Sequence, residues 1–122
     1  MAKEINVEEI DEIWKEIEKV MNENPEPHKN LHLVYQFNVT GKKENVSYQL
    51  QLNNGKAIVR KDGAVKADCT LILSAENFKK LLLGKLNGTA AYMTGKLKVK
   101  GNLGLALKLQ NLLSQYDVKA QF

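Results

Sequence analysis

LHLVYQFNVT, residues 31–40, alternates apolar and polar side chains along most of its length, and VSYQLQL, residues 46–52, repeats the alternation after the turn sequence GKKEN, 41–45. A period of two is typical of a strand that buries one face. The apolar positions are Leu31, Leu33, Tyr35, Phe37, Val39, Val46, Tyr48, Leu50 and Leu52. The polar positions are His32, Gln36, Asn38, Ser47, Gln49 and Gln51. We therefore expect two antiparallel strands that share one buried and one solvent-facing side.

Three more strands follow this pair. Turn residues at 53–55 (NNG) and 61–63 (KDG) enclose the first of them, and alternation in the last places Leu97 and Val99 inward and three lysines outward. The three strands are a segment around Ile58, CTLIL at 69–73 and KLKVK at 96–100. The sequence thus predicts a sheet of about five strands.

Helical periodicity precedes and interrupts the strands. Asn6 and Glu9 fit a capping box for a first helix, which the prolines of NPEP, residues 24–27, end. Its apolar stripe consists of Ile10, Ile13, Trp14, Ile17, Val20 and Met21. Ser74 is placed to cap a second helix that ends at Gly84. The inward residues of this helix are Phe78, Leu81 and Leu82.

Two further helical segments complete the chain. GTAAYMTG, residues 88–95, allows one or two turns, and a last helix covers 102–113. Apolar side chains surround roughly 220° of that last helix at about 100° per residue, which is wider than a surface helix needs. Gln110 lies within this arc, so its amide needs a backbone group, a water or a ligand as partner. Together the elements predict an α+β fold with helices on one face of a mainly antiparallel sheet, in one domain over residues 1–122.

Composition and charge limit the function classes. No apolar run approaches the roughly 18 residues that span a bilayer. The single cysteine, Cys69, excludes an internal disulfide, and the N-terminal sequence has no secretory-signal pattern. We therefore expect a soluble protein of the cytoplasm.

Catalytic patterns are missing from the sequence. Cys69 has no local histidine as a base, so we expect a buried strand residue. His28 and His32 have a helical spacing, but Pro27 opposes a helix there. The aspartates form no acidic pair, and the glycines match no phosphate-binding loop. We expect no enzymatic activity, no metal and no cofactor.

An ordered string of motifs carries a resemblance to a known family. The motifs are ADCT at 67–70, GKLN at 84–87, GKLKVKGN at 95–102 and LKLQNL at 107–112. They resemble the sterol carrier protein 2 family of non-specific lipid-transfer proteins. The resemblance implies intracellular lipid binding and transfer without catalysis, with a hydrophobic tunnel between the sheet and the helices for a fatty acid, acyl-CoA, sterol or phospholipid tail. The alternative is a protein-interaction module with a filled core and no ligand.

Two positions depart from the family pattern. Eukaryotic members usually end in a peroxisomal address, whereas this chain ends in Ala120, Gln121 and Phe122, so a peroxisomal location is less expected than a cytoplasmic one. Many members have proline where this chain has Gly88, which predicts a looser short helix.

Strand alternation and helix phase predict which side chains line the tunnel. A wide apolar arc suits a helix that packs on the sheet with one side and lines a cavity with another. The predicted lining residues are Leu33, Tyr35, Tyr48, Leu50, Phe78, Leu82, Met93, Leu103, Leu107, Gln110 and Leu113.

Lys96, Lys98 and Lys100 alternate on one strand face. The plain interpretation is a solvated face that protects a sheet edge. Transient contact with an anionic membrane is the alternative, because a lysine near such a surface contributes about 1 kcal/mol. No aromatic side chains lie between these lysines, so we expect no nucleic-acid partner. The oligomeric state is open, with a monomer favoured.

Overall fold

The computed structural model describes residues 7–41, 45–63, 65–82 and 85–116, with the backbone alone for Val7 and Glu8. The helices in these ranges are α1 (Val7–Glu23), α2 (Ala75–Leu82), α3 (Gly88–Met93) and α4 (Leu103–Ser114), and a 3-10 turn spans Glu26–His28. The strands are β1 (His32–Thr40), β2 (Asn45–Asn53), β3 (Lys56–Lys61), β4 (Cys69–Ser74) and β5 (Leu97–Gly101). Among the predicted features, the cap Asn6, turn residues 42–44, the helix stop Gly84 and the C-terminal residues Ala120, Gln121 and Phe122 lie outside the described residues.

The strands form one sheet in the order β3-β2-β1-β4-β5. β1 pairs in parallel with β4, and the other neighbours are antiparallel. The predicted α+β class and the mainly antiparallel sheet are therefore confirmed. The β2–β3 hairpin turns at Asn54 and Gly55, whose φ angles of 48° and 97° suit the asparagine-glycine pair in the sequence.

The sheet has one buried apolar face, as the alternation predicts. Its buried side chains are Tyr35, Phe37, Val39, Tyr48, Leu50, Leu52, Ala57, Cys69, Leu71, Leu73 and Leu97. Leu33 and Val46 are half-buried and pack against this core. The prediction that Cys69 is a buried strand residue is also confirmed.

Gln49 is predicted to face solvent, but its side chain is buried. Its side chain is only 1% exposed, and Nε2 donates to the Val65 carbonyl at 2.6 Å in the segment that joins β3 to β4. The same Nε2 lies 3.1 Å from Gln36 Oε1. A Cβ on Gly63 would lie 2.5 Å from Gln49 Oε1, so glycine is needed for this close approach. The segment that joins β3 to β4 therefore buries the Gln49 amide and also supplies a hydrogen-bond acceptor for it.

α1 packs on the sheet and closes its β3 edge. Its predicted stripe is buried, with Val20 half-buried. Glu18 Oε2 accepts from Val59 N at 2.6 Å, and the Asn22 amide exchanges two 2.9 Å hydrogen bonds with the Ala57 backbone. These bonds satisfy backbone groups that an open edge would offer to another chain.

The other helices begin at polar caps. Ser74 Oγ accepts from Asn77 N at 3.2 Å, which confirms the predicted cap of α2. Asn87 caps α3 and Asn102 caps α4. α3 packs on β5 and α4, while α4 packs on β4 and β5. In the part of the chain that the structure covers, no helix has the length and apolar character to cross a membrane.

Candidate functional site

Six of the predicted lining residues are buried in one core between the sheet and the helices. Tyr35, Tyr48 and Leu50 project from β1 and β2, and none is more than 1% exposed. The other three are Phe78 and Leu82 of α2 and Leu113 of α4. A seventh, Leu33, is half-buried against the same core. Strand alternation and the α2 stripe therefore predict the burial of these side chains correctly.

Four rings form an aromatic cluster at the centre of this interior: Trp14, Phe37, Tyr48 and Phe78. The Trp14 ring centroid lies 5.1 Å from that of Phe37 and 5.3 Å from that of Phe78. Tyr48 stacks on Phe78 with centroids 6.0 Å apart and ring planes within 9° of parallel. The cluster therefore occupies the space between α1, α2 and the sheet with packed side chains.

Trp14 contributes a polar group to this apolar interior. Its Nε1 is buried and has no hydrogen-bond partner among the described residues. A buried N–H without an acceptor costs about 1–3 kcal/mol. An incoming acceptor oxygen would remove that cost.

Tyr35 ties the interior to α4. Its hydroxyl donates to the Leu105 carbonyl at 2.7 Å. Burial, and to a lesser extent Cys69 and Asp68, raise the pKa of Tyr35 far above its ordinary value. The phenol therefore stays protonated and holds α4 over β1.

Gln110 has a backbone partner. Its Oε1 accepts from Gly88 N at 2.8 Å, across the contact between α4 and α3. A Cβ on residue 88 would lie 2.3 Å from that oxygen, so the bond in this geometry requires glycine. Proline at this position would remove the N–H that Gly88 donates. The sequence leaves three possible partners for the Gln110 amide. In the structure its partner is a backbone group, the N–H of Gly88.

Three predicted lining residues do not face inward, and that part of the prediction is wrong. Met93 is 80% exposed, and Leu103 and Leu107 are each 38% exposed. α4 instead buries Ala106, Leu109, Leu112 and Leu113. The apolar arc of roughly 220° is wider than the side that meets the sheet, so helical periodicity alone does not determine which part of the arc is buried. Contact of the three exposed side chains with a ligand stays a prediction.

Two surface depressions lie near different strands of the sheet, one beside β2 and β3 and one beside β4 and β5. A cleft of about 240 Å³ is lined by Asp11, Trp14, Lys15, Glu18, Tyr48, Val59 and Lys61. We call it the α1–β3 cleft. A depression of about 340 Å³ is lined by Thr40, Ile72, Leu73, Ser74, Asn77, Gly95, Lys96 and Lys98. Of the predicted lining residues, Tyr48 alone appears in these two sets.

Polar contacts join three residues that line the α1–β3 cleft. Tyr48 Oη donates to Asp11 Oδ1 at 2.6 Å, and Lys61 Nζ lies 3.4 Å from Asp11 Oδ2. No local sequence pattern predicts this cleft, because its walls come from α1, β2 and β3, which are far apart in the chain. The one local signal is that polar Asp11 and Glu18 flank the apolar stripe of α1.

Most of the chain matches a known protein family. The model of the SCP-2 sterol transfer family matches residues 14–114. The chain belongs to this family. The SCP-2 domain is 39% identical over 119 residues to hydroxysteroid dehydrogenase-like protein 2 of Xenopus tropicalis, covering 97% of this chain and 28% of that protein. It is 40% identical over 107 residues to sterol carrier protein 2 of Homo sapiens, covering 84% of this chain and 19% of that protein.

A solved structure shares the SCP-2 fold. The sterol carrier protein domain 2 of Helicoverpa armigera matches with a TM-score of 0.76 and 31% sequence identity, over 93% of this chain and 94% of that one. By contrast, the chain spans less than a third of the length of the two curated relatives, at 28% and 19%. The comparison therefore concerns a domain of those longer proteins.

Proposed function

We propose that this SCP-2 domain binds the hydrocarbon tail of a lipid between its sheet and its helices, and carries that lipid through water between membranes. Membership of a sterol transfer family over residues 14–114 carries the proposal. A relative at 40% identity bears the name sterol carrier protein 2. The apolar interior supplies a surface that suits an acyl or sterol ligand.

The energetics favour a site that opens only around its ligand. An empty pocket of about 300 Å³ would cost about 7 kcal/mol, which is comparable with the stability of a whole domain. The aromatic cluster fills this space in the unliganded protein, and the lipid tail displaces its rings. A long acyl chain gains on the order of 12 kcal/mol from burial, and part of this offsets the rearrangement and the loss of freedom. Because such binding is non-directional, we propose broad ligand selection.

The tail enters, in this proposal, through the α1–β3 cleft. Its inner wall contains Trp14 and Tyr48, so the cleft adjoins the aromatic cluster. Separation of Tyr48 from Asp11 widens the cleft, and the Trp14 N–H donates to a carboxyl or ester oxygen of the lipid. The proposed lining of the liganded site is Leu33, Tyr35, Tyr48, Leu50, Phe78, Leu82 and Leu113.

Thermal unfolding of the delipidated protein tests this function. Palmitate should raise the melting temperature, whereas hexanoate, which buries fewer methylenes, should raise it much less. Trp14 is the single tryptophan, so a fluorescent fatty acid should accept energy from it in a saturable titration. Trp14→Phe is the control that removes this signal.

The filled interior favours the competing function of an interaction module without a ligand. Native mass spectrometry separates the two functions, because a lipid carrier shows a lipid adduct after addition of palmitate, a sterol or a phospholipid. A chain that keeps its apo mass and its melting temperature with all three lipid classes is not a carrier.

A further inference from the structure

One end of the sequence concentrates positive charge. Residues 77–116 contain seven lysines and no aspartate or glutamate, although the whole chain has 14 acidic residues. Lys79 and Lys80 form ion pairs with Glu9 and Glu76. The other five have no ion pair within the described ranges, and they are Lys85, Lys96, Lys98, Lys100 and Lys108.

The same segment exposes large apolar side chains. Tyr92 and Met93 on α3 are 43% and 80% exposed, and Leu103 and Leu107 on α4 are each 38% exposed. α3 and α4 meet where Gly88 N donates to Gln110 Oε1. Tyr92 lies one helical turn beyond Gly88 and Leu107 lies about one turn before Gln110, so both flank the helix contact.

Two of the unpaired lysines accompany these apolar residues. Lys108 follows Leu107 on the exposed side of α4, and Lys85 lies three residues before Gly88. We call Lys85, Tyr92, Met93, Leu103, Leu107 and Lys108 the α3–α4 surface. Lys98 and Lys100 instead pair in register with Ile72 and Thr70, on the sheet face opposite the helices. Lys98 and Lys100 thus lie on the outer face of the sheet, whereas Lys108 lies on the exposed side of a helix.

We propose that the α3–α4 surface docks on a bilayer that contains anionic lipid. Exposed apolar side chains flanked by lysines are the pattern of a surface that lies in the membrane interface. The apolar residues enter the headgroup region while Lys85 and Lys108 contact anionic headgroups. Lys98 and Lys100 stay in water. This inference extends the proposed function, because a carrier must collect its lipid from a membrane, but docking is measured without any lipid uptake.

Vesicle sedimentation with two lysine variants of equal net charge tests the assignment. The wild type should bind phosphatidylcholine vesicles that contain phosphatidylserine more tightly than pure phosphatidylcholine vesicles, and less tightly as salt rises. K85Q/K108Q should weaken binding to the anionic vesicles about 30-fold, which corresponds to about 1 kcal/mol per lysine. The matched control, K98Q/K100Q, should change the affinity less than threefold by comparison. An equal loss for both pairs, or no binding by the wild type, overturns the proposal.

Apolar variants distinguish a bilayer from a soluble acidic partner. M93Q/L107Q should weaken vesicle binding about tenfold or more, because both side chains lose their apolar contact with the interface. Val65→Gln is the control, since Val65 is 52% exposed and lies on the segment between β3 and β4. Unchanged binding by M93Q/L107Q contradicts membrane docking and indicates a purely electrostatic contact. Circular dichroism melting confirms that each variant is folded before binding is measured.

Discussion

The aromatic cluster and the α3–α4 surface contain similar apolar side chains but differ in what covers them. The cluster draws one ring each from α1, β1, β2 and α2, and the rings pack on one another. The apolar residues of the α3–α4 surface come from two helices that are close in sequence, and these residues remain exposed. Apolar content alone therefore does not tell an interior from a surface. What distinguishes them is whether distant elements present apolar sides to the same place.

Truncation of a ring in the aromatic cluster should cause the largest loss in the free energy of unfolding. Trp14→Ala removes a ring that contacts three others, so we expect a loss of about 3–5 kcal/mol in the free energy of unfolding. Leu107→Ala on the α3–α4 surface should change it by about 0.5 kcal/mol or less. Urea unfolding measures both. Similar losses for the two variants would contradict the division into a packed interior and an open surface.

The sequence predicts the interior better than the surface for a physical reason. In β1 and β2 the period of two places all apolar side chains on the same face of the strand, so that face must be the buried one. Tyr35, Tyr48 and Leu50 are accordingly buried as predicted. In α4 the apolar arc covers roughly 220° of the helix, so Leu103 and Leu107 appear as suited to the interior as Leu109. The rotation of α4 depends on contacts with β4 and β5, which no local pattern contains.

Long-range polar contacts likewise leave no local pattern in the sequence. The bonds from Glu18 and Asn22 to β3 join residues 41 and 35 positions apart, and their residue types alone predict only solvated positions on α1. The caps at Ser74 and Asn102 are local, and for Ser74 the sequence predicted the bond. That the buried residues line a ligand site stays a prediction.

The hydrogen bond between Gly88 and Gln110 lies where α3 meets α4. Its loss should lower the free energy of unfolding by an amount between those of the two truncations above. Gly88→Ala places a Cβ 2.3 Å from Gln110 Oε1, so the amide must move and the hydrogen bond is lost. We expect a loss of about 1–2 kcal/mol in the free energy of unfolding. Gln110→Leu should destabilise by a similar amount, because it leaves Gly88 N–H without its acceptor.

A double-mutant cycle sharpens this test. In a Gln110→Ala background the clash disappears, so Gly88→Ala should be neutral or stabilising, as alanine favours a helix more than glycine does. Additive losses in urea unfolding would mean that the two residues act independently. Gln110→Leu with unchanged stability but weaker binding of a fatty acid than of a plain hydrocarbon would instead assign the amide to the ligand.

A rise to alkaline pH should destabilise the interior by less than either the Trp14→Ala or the Gly88→Ala substitution. Burial, with a further contribution from the Asp68 carboxylate, raises the pKa of the Cys69 thiol above its ordinary value of 9.0. The folded protein therefore keeps this proton where the unfolded chain releases it, so the thiol's contribution to stability is present below about pH 9 and is lost as the pH rises further. Cys69→Ala should flatten the fall in melting temperature between about pH 8 and pH 10.5, whereas Met93→Ala on the α3–α4 surface should leave the slope unchanged. Parallel pH profiles for wild type and Cys69→Ala would show that other groups, such as Tyr35 with its raised pKa, account for the alkaline loss.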